Sequence, residues 1–269
     1  SCFSEELGTR LSESKFDTWS NPYGTIYNPH SIIKSLSQKP SEADIVENEG
    51  VFYHWDAYGK VSAKTSKGLL ALIKDQHQHT EAFLKRTKHL ILTFGTAWVY
   101  EIDDHQIVAN CHKVPASQFQ KRLLSQNKII EEYHQFQDHL NQINPNINVI
   151  LTVSPVRHVR DGLIENNRSK AILIDAIQTI TENHANASYF PAYEIVVDEL
   201  RDYRFYAEDM VHPSTQAVNY VWEKFIQCYA DTETKDFLAE WKKIQAALQH
   251  RPFHPDTEKH QQFLNKTLG

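Results

Sequence analysis

The 269-residue chain has no run of about 18 apolar residues, the length a helix needs to cross a bilayer, so no membrane span is expected. It also lacks a basic excess: 28 Lys and Arg stand against 34 Asp and Glu, a formal net charge of -6. Nucleic-acid binders usually carry a positive excess or stripe, which argues against that class of partner. Cysteine is scarce, with Cys2, Cys111 and Cys228 making an odd number. That count fits a reducing compartment better than a disulfide framework, so a cytoplasmic location is the expectation. No signal peptide is visible, although the chain starts at Ser1 rather than methionine and leaves an upstream signal open. No Cys/His spacing matches a zinc site, and no internal repeat or low-complexity tract occurs. Neither a metal nor a cofactor is called for.

What is present reads as an ordinary water-exposed globular chain, with 41% hydrophobic and 23% charged residues. Two short apolar runs, His89 to Phe94 and Asn146 to Val153, read as buried strands, and Tyr193 to Val197 is a third candidate. Helical spacing covers Lys67 to Lys88, Ser117 to Ile143, Ser169 to Asn186 and Thr215 to Ala230. Ser117 with Gln120 offers a capping box for the second of these, and Asn144-Pro145 stops it. Strands alternating with helices imply a parallel sheet covered on both faces. Residues 38–66 lack clean periodicity and read as an insertion. From Asp231 onward an amphipathic helix, then Pro252 and Pro255, then a short last helix form an appendage to a 1–230 domain.

The chemistry concentrates at the two ends of that domain. Asp209-Met210-Val211-His212-Pro213-Ser214 places an acid three residues before a histidine, on a loop that leads into a helix. Such an acid can hold an imidazole in one tautomer, and a nucleophile from elsewhere would complete a triad. Ser1 and Cys2 are the candidates. In a parallel sheet the reactive groups gather outside the carboxyl ends of the strands. Gly95 follows one strand and Ser154-Pro155-Val156-Arg157-His158 follows the next, so both fall on the rim of the Asp-x-x-His loop. Gly24, between two Asn-Pro pairs, can bring its backbone N–H close to a developing oxyanion.

These residues in combination resemble the GSCFA domain family. Ser1-Cys2-Phe3-Ser4-Glu5-Glu6-Leu7-Gly8 looks like its signature, and the likeness continues through Asn21–Pro29, Leu92–Trp98, Asn110–Lys113, Val153–His158, Asn167–Ala171 and Tyr189–Ser214. The tail stands outside it. The family is similar to the SGNH/GDSL hydrolases, which implies an α/β, flavodoxin-like three-layer α/β/α sandwich with a parallel sheet. It further implies a nucleophile after the first strand, Gly24 and Gly95 as the glycines of the middle blocks, and Asp209 with His212 as the last block. Two departures follow from the match. Cys2, not Ser1, takes the nucleophile slot, and Ala97 replaces the asparagine of the third block, with Asn110 the first candidate to stand in. An ester of a small molecule or glycan is the implied substrate, by hydrolysis or acyl transfer.

Plainer readings stand beside these. Free cysteine is mostly structural, so Cys2 can simply pack a first turn. Asp209 can cap its loop. A chain-terminal Ser1 can use its own amine as base, and an SGNH scaffold without turnover would be a carbohydrate- or peptide-binding module. His112 and His158 lie near the rim, where hydrogen-bonded or surface roles are the ordinary ones. His77 and His79 are i,i+2 on a helix and face apart. Tyr203 to Tyr206 can line a pocket or pack beneath the loop.

Overall fold

The computed structural model describes residues 2–249 together with Glu258 and Gln262, and at Cys2, Asp104 and Gln249 the backbone alone. Pro252, Pro255 and the last short helix lie outside the described residues. Helix α1 (Cys2–Glu13) comes first, then α2 (Pro29–Ser37), whose start is set by Asn28 accepting the N–H of Ser31 at 2.8 Å, with Pro29 preset for the first helical position. An antiparallel meander of β1 (Ile45–Asn48), β2 (Val51–His54) and β3 (Ser62–Ala63) follows. Thr65 then caps α3 (Ser66–Leu84).

Next come β4 (His89–Phe94), β5 (Trp98–Glu101), β6 (Ile107–Val108), β7 (Gln120–Leu123), α4 (Gln126–Ile143) and β8 (Asn148–Val153). The chain continues through α5 (Leu163–Asn183), β9 (Ala187–Phe190), the short α6 (Ala192–Glu194) running into a π-type segment Ile195–Leu200, then α7 (Thr215–Tyr229) and α8 (Thr232–Gln249). Among the described residues no helix is long and apolar enough to cross a membrane.

The site is positioned by a parallel sheet in the order β4-β8-β9, with Leu92 opposite Leu151 and Thr152 opposite Phe190. Central β8 is buried from Val149 to Val153, as a strand covered on both faces should be. Leu92, Phe94, Val149, Leu151 and Val153 pack with Ile129, Tyr133 and Phe136 of α4 and Leu173 and Ile177 of α5. Ile150 and Phe190 instead join Phe3 and Leu7 of α1 and Val221 and Phe225 of α7. Each such side chain contributes about 1.5–3 kcal/mol on leaving water. That alternation fixes the strand register, and it brings α1 and α7, the carriers of the two ends of the motif, into one cluster.

Two expectations are corrected. The helix expected from Ser117 starts at Gln126, because Gln120–Leu123 pairs with β5 instead and Ser125, not Ser117, caps it by accepting the Lys128 N–H at 3.2 Å. Phe119 is drawn out of that helix by edge contacts with Trp55 and Tyr100. The strand expected at Tyr193 to Val197 is helical, and the pairing falls to Ala187–Phe190, which Pro191 ends by having no N–H to give. Residues 38–66, read as an insertion without pattern, hold the meander, which stands beside a separate cluster of Tyr23, Ile26, Leu69 and Ile73. Tail helix α8 reaches back to α1, where Trp241 Nε1 donates to the Glu13 carbonyl at 2.8 Å.

Candidate active site

The carboxyl ends of β4 and β8 meet at a buried lysine. Lys170 of α5 is 2% exposed, and its Nζ donates to the carbonyls of Gly95 at 2.7 Å and Ser154 at 2.6 Å. Burial without a carboxylate partner pulls its ammonium down to about 7. Next to it, Ser169 Oγ pairs with Thr96 Oγ1 and accepts the Ala97 N–H at 2.7 Å. The two loops that leave the sheet are therefore pinned from below by one turn of α5.

The second loop carries this order to the Asp-x-x-His segment. Arg157 donates its backbone N–H to the Val211 carbonyl and a guanidinium N–H to the Met210 carbonyl, at 3.3 and 3.2 Å. Its guanidinium lies 4.1 Å from the centre of the Tyr206 ring, and Phe205 and Tyr206 are buried beneath the loop while Tyr203 is exposed. The segment turns through Met210 in the left-handed region, φ +59°, and closes with Ala207 N–H donating to the His212 carbonyl at 2.8 Å. Ser214 then caps α7 by accepting the Ala217 N–H.

Within this turn Asp209 Oδ1 accepts the N–H groups of Val211 and His212, at 2.9 and 3.0 Å, and Oδ2 lies 2.6 Å from His212 Nδ1. The His212 backbone N–H foremost, then its ring and the Val211 N–H, hold the Asp209 carboxyl down to about 2. An ionised carboxylate can only accept, so Nδ1 carries the proton facing Asp209, and in the neutral ring that leaves Nε2 with the lone pair. Nε2 has no hydrogen-bond partner among the described residues.

His212 lines a cavity of about 300 Å³ together with Phe3, Glu5 and Glu6 of the first turn of α1 and Val156 of the Arg157 loop. The fold thus brings the Asp-x-x-His loop to the helix that begins with Cys2. The first N–H groups of a helix have no intrahelical partner and favour negative charge. Ser1 lies outside the described residues.

The remaining residues singled out from the sequence sit as follows. Gly24 is left-handed at φ +77° and donates its N–H to the Asn21 carbonyl at 2.8 Å. Gly95 donates to the Tyr27 carbonyl at 2.7 Å, and a Cβ there would stand 3.2 Å from that same oxygen, a tight contact. Both backbone donors are therefore engaged within the chain. Ala97 is wholly buried. Asn110 uses Oδ1 to accept the His112 N–H at 2.8 Å, in the turn after β6.

His112 is stacked on Tyr53 and pushed by burial down to about 4, and His158 is also lowered by burial. His77 bonds the Tyr23 hydroxyl while His79 turns to Asp75, as their spacing implied. One group among the described residues has metal-ligand composition, Asp44, His54 and Asp56. Lys34 Nζ already lies 2.8 Å from Asp56 and 3.7 Å from Asp44, and His54 Nε2 is 3.0 Å from the Ser41 carbonyl, so a cation role there is filled by the ammonium.

Sequence reasoning gave no role to Lys170, Arg157 or Asn21, although each lies within a segment that carried the resemblance. A lysine at a core position of a helix was the available signal for the first.

Together these features define an α/β protein with an Asp-x-x-His loop seated at the carboxyl rim of a parallel sheet, over the start of its first helix. The chain belongs to the GSCFA family, whose model matches residues 1–225. A second model, the GSCFA domain protein C-terminal domain, matches residues 241–269, which corrects the expectation that the tail stands outside the family. No curated protein matches the chain. Among solved structures, a carbohydrate esterase family 3 protein from Talaromyces cellulolyticus is similar at 16% identity and a TM-score of 0.31, over 58% of this chain and 64% of that one.

Proposed function

We propose that the chain is a hydrolase or acyltransferase of SGNH type that acts on an ester through Cys2, His212 and Asp209. Membership of the GSCFA family and its likeness to the SGNH hydrolases support the class, with the three-layer sandwich of those enzymes as the parent architecture. The observation that carries the reading is the Asp209–His212 pair, with Nε2 unpartnered among the described residues and His212 lining a cavity walled by the first turn of α1. In this reading Nε2 takes the proton of Cys2, the thiolate adds to the ester carbonyl, and the same proton is returned to the departing alcohol. Asp209 holds the ring and steadies the imidazolium. The helix start favours the thiolate as well. Ser1 is the alternative nucleophile. Small-molecule esters and acylated glycans are the substrate classes, water or an alcohol the acceptor, and no metal or cofactor takes part.

A second reading has its own support. With Gly24 and Gly95 already donating to carbonyls, and Ala97 in the asparagine slot, the expected oxyanion donors are engaged or replaced. A scaffold in that state would bind a carbohydrate or peptide without turnover. One experiment separates the two. Wild type, Ser1→Ala, Cys2→Ala and His212→Ala are assayed with nitrophenyl esters and acetylated sugars, with and without acceptor alcohols. Turnover that falls by about 10³-fold or more in His212→Ala, with unchanged unfolding, is expected of the triad. Glycan binding that survives both Cys2→Ala and His212→Ala, with no ester turned over by the wild type, would establish the binding module.

A further inference from the structure

The Asp209–His212 turn fixes its own tautomer but not its own place. Both side chains are half-exposed, and the bonds from Asp209 to the ring and to the Val211 and His212 N–H groups all close within the turn. Among the described residues, the hydrogen bonds that reach residues 207–212 from elsewhere in the chain come from Arg157 alone. Its backbone N–H donates to the Val211 carbonyl at 3.3 Å and its guanidinium to the Met210 carbonyl at 3.2 Å. Those two carbonyls belong to the residues just before His212. The guanidinium is itself steadied by the Tyr206 ring, 4.1 Å away.

Arg157 in turn sits in a segment held at both ends by one face of α5. Lys170 Nζ donates to the Ser154 carbonyl at 2.6 Å, and Asn166 Oδ1 accepts the His158 N–H at 2.8 Å. These two anchors are one helical turn apart, 2% and 4% exposed. Between them Ser154 Oγ accepts the Val156 N–H at 3.3 Å, which tightens the span that leads to Arg157. Burying an amide and an ammonium is costly unless they are hydrogen-bonded, and here both are bonded to the rim loop rather than to solvent. Val156, beside Arg157, lines the same cavity as His212 and the first turn of α1.

We infer that Arg157 is a positioning residue for the reaction proposed above, a strut through which Asn166 and Lys170 hold the His212 imidazole over the start of α1; this rests on that reading. Arg157 touches no reacting atom in this role. The tautomer of His212 is set inside the turn and its position from outside, so the two can be lost separately. A ring displaced by about 1 Å keeps its proton on Nδ1 and still costs about 10²-fold in rate.

Two readouts taken together test this. Turnover of p-nitrophenyl acetate and the nitrogen NMR signature of the His212 tautomer are followed in wild type, His212→Ala, Arg157→Ala, Arg157→Lys, Asn166→Ala and the double variant Arg157→Ala/Asn166→Ala. In Arg157→Ala and in Asn166→Ala, kcat is expected to fall by about 10²-fold, with KM and the tautomer signature unchanged. Arg157→Lys, which can still donate to the Met210 carbonyl, should recover part of the loss. The double variant should fall by far less than the product of the single losses, because both act through one strut. Arg157 lies at the surface of its loop, so its variants decide the matter even where Asn166→Ala fails to fold. A kcat within about twofold of wild type in Arg157→Ala overturns the inference and leaves the triad standing. Loss of the tautomer signature along with kcat also overturns it, because Arg157 would then shape the turn rather than place it. Losses that multiply in full overturn the link to α5. A wild type that turns over no ester, or whose turnover His212→Ala leaves undiminished, overturns the inference together with the reading beneath.

Discussion

Replacing Lys170 with methionine should abolish a pH dependence of stability that the wild type shows above neutrality. The ammonium is wholly enclosed at the ends of β4 and β8, with His158 and the Tyr193 ring as its titratable neighbours, and burial brings it from 10.5 to about 7. Unfolding returns it to the ordinary lysine value. Between pH 7 and about 10.5 the unfolded chain therefore binds a proton that the folded chain has released, so stability rises with pH across that window. The slope approaches about 1.4 kcal/mol per pH unit, and the gain from pH 7 to pH 9 is about 2 kcal/mol. It is lost again as pH falls toward 7. Urea denaturation at pH 7, 8 and 9 measures it, taken as the difference between wild type and Lys170→Met, in which titrations common to both chains cancel. Parallel pH profiles would refute the reasoning, because they would mean that Lys170 keeps its proton, held by the Gly95 and Ser154 carbonyls more firmly than burial expels it.

Other consequences are simpler. Asp209→Asn keeps the turn but loses the acceptor that fixes the His212 tautomer, and ester turnover should fall by about 10³-fold or more with little change in melting temperature; unchanged kcat would remove Asp209 from the mechanism. Gly24→Ala forces a Cβ to 2.6 Å from the Tyr58 Cβ at a φ of +77°, so destabilisation of about 1–2 kcal/mol from backbone strain plus the clash is expected by chemical denaturation. Phe136→Ala opens the cluster between α4 and the sheet and should destabilise the fold by about 3–5 kcal/mol. A loss below 1 kcal/mol there would show that this core tolerates a void of that size.

The parts of the fold legible in the sequence were those with a single strong period. His89–Phe94 is a short apolar run and forms the strand expected of it, and the helical spacing from Thr215 starts a helix there. The errors came where tertiary pairing overrode local spacing. Gln120–Leu123 has helical neighbours and no strand pattern, with an exposed Gln-Lys-Arg run, and only β5 makes it a strand. Tyr193–Val197 looked β-prone, yet the edge of β8 was already filled by Ala187–Phe190. The Asp209–His212 pair was visible because its partners are three residues apart and the turn is self-contained. The donors around the site were not. Whether the N–H of Gly95 is engaged depends on the carbonyl of Tyr27, far away in sequence, and no local pattern records that meeting.

The central claim is that the loop at His212 and the helix start at Cys2 form one reactive pair. The most direct test is the pH dependence of iodoacetamide alkylation at Cys2, in wild type and in His212→Ala. Exposed Cys228 serves as the reference thiol, and half-buried Cys111, whose thiol burial pushes up, as the slow one. The account predicts that Cys2 reacts near neutral pH, well below an ordinary thiol's range of about 8.5, and that removing His212 abolishes this advantage. A Cys2 that is inert at neutral pH, or equally reactive without His212, would contradict it.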